Sequence, residues 1–141
     1  MIVDTHTHFY DPSRPQGVPW PNEDNELLYR TVLPEHHRAL AAPEGITGTV
    51  VVEASAWLED NQWILDLSEN DPWILGLVGH IDPGDGFADG LARFADHPRF
   101  LGIRLGGGHF DDIEAGSLLR DVEALAARDL TLDVLGRGAQ L

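Results

Sequence analysis

The chain has 141 residues and a formal net charge of −15, from 24 Asp and Glu against nine arginines and no lysine. Such a surface repels phosphate backbones and anionic headgroups, which argues against nucleic-acid and membrane partners; any anionic ligand needs a local arginine. With no cysteine, disulfides and thiolate metal sites are excluded, so a metal has to be held by His and carboxylate.

The chain opens on MIVDTHTHFYD, a strand-like run over about 2–8 in which Asp4, His6 and His8 recur at every second position. Side chains alternate across a strand, so these three are expected on one face, with Val3, Thr5 and Thr7 on the other. Two imidazoles so spaced can grip one divalent cation, or orient a carbonyl or a water. Residues 9–25 hold Pro12, Pro15, Pro19 and Pro21 and read as an ordered loop. Its Phe9, Tyr10 and Trp20 offer apolar area to close over a ligand.

A helix is expected near 34–42, with Pro34 at its first position and Gly45 past its end. His36 and His37 on it point about 100° apart and are expected at the surface. The β-branched run Thr47 to Ser55 reads as a buried parallel strand. In it Glu53 needs a cation, a metal or a hydrogen-bond donor, because an unpaired buried charge is very costly. A helix over about 60–69 carries Trp63, Ile64 and Leu67 at core spacing and stops at Asp71-Pro72. The strand Trp73 to Ile81 ends in His80 and Asp82, which places His80 at the wall of a pocket or in a hydrogen-bonded structural role.

The next helix, about 87–96, sets Phe87, Leu91, Phe94 and Ala95 on one side. Phe100 to Leu105 is a strand with Gly102 and Arg104 on one face. A guanidinium is always charged, so burying it makes sense only against a carboxylate, of a substrate or of the protein, with Glu53 the internal candidate. Gly106 to Phe110 lacks the features of a phosphate-binding loop and reads as a flexible turn into a helix at about 115–128. Leu130 to Leu135 forms a fifth strand, with Asp133 among apolar residues.

Strands beginning near 2, 48, 74, 100 and 130, with helices between them, have the rhythm of a TIM-type (β/α)8 barrel, an α/β fold whose eight units take about 250 residues. The chain therefore reads as a single domain over 1–141, the N-terminal part of such a barrel with about five units. The remaining strands are expected beyond Leu141 or from a partner, and an open edge invites homo-oligomers. No apolar run approaches ~18 residues and no signal segment opens the chain, so a cytoplasmic address is the default expectation.

DTHTHFYDP followed by PWP resembles the amidohydrolase superfamily, in the amidohydrolase-related branch that includes sugar-lactone and dicarboxylate-lactone hydrolases. The resemblance recurs in VVVEAS (50–55), GLVGHID (76–82), FLGIRL (100–105) and LTLDVLG (130–136). It implies a hydrolase that opens a small lactone, with His6 and His8 as catalytic residues orienting or polarising the carbonyl. It implies that Arg104, in a Gly-x-Arg, binds an anionic or polyhydroxylated substrate; Tyr10, Trp20 and His80, read from the residues themselves, are the further substrate-binding candidates. The branch contains zinc-dependent and metal-independent enzymes, so His6, His8 and Glu53 are the metal candidates. A further His and the Asp that acts as general acid/base are expected beyond Leu141. The rival readings are a zinc-dependent decarboxylase of a small unsaturated acid and a non-catalytic half-barrel module.

Overall fold

The computed structural model describes residues 1–111 and 117–136. Strands β1 (Val3–Thr7), β2 (Gly48–Val52), β3 (Ile74–Gly79), β4 (Phe100–Gly106) and β5 (Thr131–Leu135) lie side by side, all parallel, in sequence order. Helices α1 (Pro34–Ala41), α2 (Leu58–Asn70), α3 (Phe87–Phe94) and α4 (Leu118–Ala126) fill the connections. The sheet curls as half of a β/α barrel, as the strand rhythm predicts.

The core lies between sheet and helices. Val51, Leu77, Ile103 and Leu105 from the strands meet Ile64, Leu65, Phe87, Leu91, Phe94 and Leu125 from the helices. Phe94 stacks on Phe100 with ring centroids 5.7 Å apart. The expected apolar spacing of α2 and α3 is thus what buries them.

Glycines set how closely the strands approach. A Cβ on Gly48 of β2 would stand 2.8 Å from Leu75 of β3, and one on Gly76 of β3 would stand 2.3 Å from Leu101 of β4. A Cβ on Gly102 of β4 would stand 2.1 Å from the Thr131 carbonyl of β5. β2, β3 and β4 each have a glycine where a residue of the next strand lies across it.

Three expectations change. Asp4 pairs with Thr49 but Thr7 pairs with Val51, so β1 carries one extra residue between them. That bulge breaks the two-residue alternation. Asp4 therefore does not share a face with the histidines: its carboxylate meets His37 of α1, whereas His6 and His8 meet Arg104 and Trp20. His37, expected at the surface, is enclosed by Asp4, Phe9 and Trp73 with its side chain 17% exposed, while His36 stays exposed. Gly107–Phe110 forms a 3-10 turn continuing directly from β4. The expected start of the fourth helix at 115 lies outside the described residues.

Gly102 has φ of 157° as well as the Thr131 contact, so Gly102→Ala is expected to force β4 from β5 and to lower unfolding free energy by about 2 kcal/mol or more. Urea unfolding checks this, with Gly108→Ala, which meets nothing within 4 Å, as the control expected to change little.

Candidate active site

The chemistry-bearing residues collect where the strands end. His8 follows β1, Glu53 follows β2, His80 follows β3, and Arg104 lies near the end of β4. This is the edge at which β/α barrels place their sites.

Arg104 spans from β4 to β2. Its Nε donates to Glu53 Oε1 at 2.9 Å and its Nη2 to the Glu53 carbonyl at 2.7 Å. The two side chains are only 12% and 17% exposed, so each charge is held largely out of water by the other. The third nitrogen, Nη1, points to His6 Nε2 at 3.4 Å. A guanidinium only donates, so His6 accepts at Nε2 and carries its proton on Nδ1.

His8 is fixed the other way round. Its Nδ1 lies 2.9 Å from the Val52 carbonyl, which only accepts, so Nδ1–H donates and Nε2 keeps a lone pair. The His6 and His8 rings meet edge to face, centroids 5.1 Å apart. Burial pushes His8 below the ordinary histidine value of 6.5; the Val52 bond opposes this, and the charges of Arg104 and His6 add to it.

His80, 7% exposed, supports the arginine from its backbone. Its Nδ1 donates to the Arg104 carbonyl at 3.1 Å, and its Nε2 faces Asp82 Oδ1 at 2.9 Å. Asn61 of α2 clamps it in turn, donating to the His80 carbonyl at 2.7 Å and accepting from the His80 amide at 3.0 Å. A Cβ on Gly79 would stand 2.2 Å from Asn61 Oδ1, so only glycine admits this clamp. Asn61 was not among the expected residues; the glycine just before His80 is the signal that a neighbour comes close there.

Residues 9–33 form a strap tied down by hydrogen bonds. Tyr10 and Val32 exchange two backbone hydrogen bonds at its base. Asp11 Oδ1 accepts from Ser13 and Thr31, bonds that hold its carboxyl below the usual range. Arg14, also absent from the expected set, donates to Asp60 at 2.6 Å and lies over Trp63, which ties the strap to α2. Trp20, 43% exposed, packs edge-on against His8 and Tyr10. Tyr10 is buried and its hydroxyl is committed to the Leu28 carbonyl, so its contribution is the seat for Trp20.

His6, His8, Glu53 and Arg104 thus come together with Trp20 beside them, while His80 lies beneath with both ring nitrogens engaged. Zinc needs three or four ligands. The histidines offer two lone pairs, one facing a guanidinium, and Glu53 is held by Arg104. Among the described residues no group of three His, Asp or Glu could hold a metal ion. These residues alone do not fit a zinc site.

Five parallel strands with four connecting helices, a His-x-His at the end of the first strand and a paired arginine near the end of the fourth make up half of an amidohydrolase-type barrel. The amidohydrolase family model (Amidohydro_2) matches residues 3–140, and the chain belongs to that family of hydrolases. It is 33% identical over 138 residues to an L-fucono-1,5-lactonase of Burkholderia ambifaria, covering 94% of this chain and 47% of the relative. It superposes with TM-score 0.82 and 24% identity on a Burkholderia multivorans amidohydrolase crystallised with bound zinc, covering 96% of this chain and 49% of that one. An amidohydrolase 2 of Bifidobacterium longum subsp. infantis gives TM-score 0.67 at 25% identity, covering 97% of this chain and 52% of that one. The chain spans about half the length of the relatives it matches. Among the described residues no helix is long and apolar enough to cross a membrane.

The His8 environment has a pH consequence. With its pKa depressed on folding, the unfolded chain binds the proton more readily, so His8 lowers stability as pH falls below 6.5. Unfolding free energy is expected to fall as pH drops through about 6.5, and to fall less in His8→Gln. Paired urea titrations of the two proteins check it.

Proposed function

We propose that the site opens a small, uncharged lactone of the sugar type by attack of water. The observation that carries this reading is the Arg104–Glu53 pair. A guanidinium already balanced by a carboxylate offers little net charge to a dicarboxylate, and the chain's net charge of −15 disfavours an anion further. Its free Nη1–H remains a good donor to a carbonyl oxygen. The 33% identity to an L-fucono-1,5-lactonase supports the same substrate class.

In this mechanism Arg104 Nη1 donates to the lactone carbonyl, and Glu53 holds the guanidinium in place. His8, neutral and with Nε2 unprotonated, orients the attacking water and takes its proton. His6, accepting at Nε2 from Arg104 Nη1, helps hold the guanidinium in place. The tetrahedral oxyanion that forms is held by Arg104; the ring C–O bond then breaks and the leaving oxygen takes the proton, giving the hydroxy acid. Trp20 offers an apolar face to the ring of a sugar lactone. A zinc ion would supply further polarisation of the carbonyl, and holding it requires a ligand beyond His6 and His8. The division of labour differs from the one the family resemblance implies, where the histidines orient or polarise the carbonyl, Arg104 anchors the substrate's anionic or polar group, and an Asp beyond Leu141 activates the water.

Initial rates on L-fucono-1,5-lactone and on a dicarboxylate lactone, followed by proton release, test the reading with and without chelator. Opening of the uncharged lactone is expected to dominate, with His8→Asn and Arg104→Met each lowering kcat/KM by about a hundredfold. Faster opening of the dicarboxylate would sink the substrate class, and full activity in His8→Asn would sink the role of His8 as the base.

A further inference from the structure

Behind the site, on the α1 side of β1, lies a second group of polar side chains that the lactone reading does not use. Trp73 Nε1–H donates to His37 Nδ1 at 2.9 Å. An indole nitrogen only donates, so His37 Nδ1 accepts, the ring is neutral and its proton is on Nε2. That Nε2 faces Asp4 Oδ2 at 3.2 Å and donates to it. The other oxygen of Asp4, Oδ1, accepts from the backbone amide of His6 at 3.1 Å.

The chain of bonds runs Trp73, His37, Asp4, His6, and it ends inside the β1 bulge. Asp4 and Thr7 pair with Thr49 and Val51, and the extra residue leaves the intervening amides without the ordinary ladder pattern. The carboxylate of Asp4 gives the His6 amide a partner within the bulge. The surroundings hold the relay in place: Phe9 and Trp73 both meet the His37 ring edge-on. Asp71 accepts from the Trp73 amide at 3.0 Å, and Arg38 lies over the indole, 5.4 Å from its ring centroid.

We propose that His37 is a positioning residue for His6: with its tautomer set by Trp73, it orients Asp4, which pins the bulge and thereby aims the His6 ring at Arg104. Among the described residues neither His37 nor Trp73 hydrogen-bonds to His6 or Arg104, so their influence runs through Asp4. The functional meaning of the aim rests on the lactone reading; the physical coupling does not.

The test is made on the whole chain by nuclear magnetic resonance, with no substrate. Long-range 1H–15N spectra of the wild type are expected to show His37 as the Nε2–H tautomer, and Trp73→Phe, which keeps the ring but removes the N–H, is expected to mix the two tautomers. His37→Phe keeps the ring stack and removes both hydrogen bonds. In it the His6 amide is expected to exchange with solvent at least about tenfold faster, while core amides such as Ile103 keep their protection. A wild-type His37 with its proton on Nδ1, or a His6 amide unchanged in His37→Phe, overturns the proposal. Uniform loss of protection across the sheet also overturns it, since that marks a purely structural role. Because these readouts need no turnover, failure of lactone opening and failure of the relay are separate results.

Discussion

A guanidinium inside a parallel strand is the constraint around which this site is built. Arg104 cannot lose its charge, and the low-dielectric end of a β/α sheet gives it almost no water. It is tolerated because Glu53, two strands away, meets it with both a carboxylate and a backbone carbonyl, and because His80 holds the arginine's own carbonyl from beneath. Those contacts join β2, β3 and β4 at one edge. Removing Glu53 would leave an uncompensated buried cation, which is why the pair must be considered as a unit.

The same pairing shapes the chemistry. It commits two of three guanidinium nitrogens and leaves one directed at His6, so the site presents a single donor beside two imidazole lone pairs. That suits a neutral carbonyl and a water better than a carboxylate-rich substrate. The strap contributes Trp20, whose position depends on Tyr10 below it and on the Arg14–Asp60 tie some distance away. Side chains from four strands and a long connection thus meet in one small region because each strand ends at the same edge.

Much of the fold was legible because its signals are local. Apolar spacing marks α2 and α3, β-branched runs mark β2, and the recurrence of these units gives the barrel rhythm. The site was legible in part for the same reason: Glu53 and Arg104 stand out as charges in apolar strands, and the arginine pointed to Glu53 as its internal partner. What the sequence hid is non-local. One extra residue in β1 sends Asp4 away from His6 and His8, and no period-two reading can show that without the partner strand. His37 reads as half of a solvated His-His pair; only the packing of α1 on β1 brings it between Asp4 and Trp73. Asn61 looks like a polar residue on a helix surface, yet it is 3% exposed and clamps His80.

The most direct measurement is a double-mutant cycle on the buried pair, with Glu53→Gln, Arg104→Met and the combined variant compared by urea unfolding. If the pair organises the strand ends, each single change destabilises strongly and the double change costs less than their sum, with a coupling of about 1 kcal/mol or more. Costs that add to within about 0.3 kcal/mol would mean that Arg104 and Glu53 stand independently, and the picture of a charge-balanced site with one free donor would be wrong.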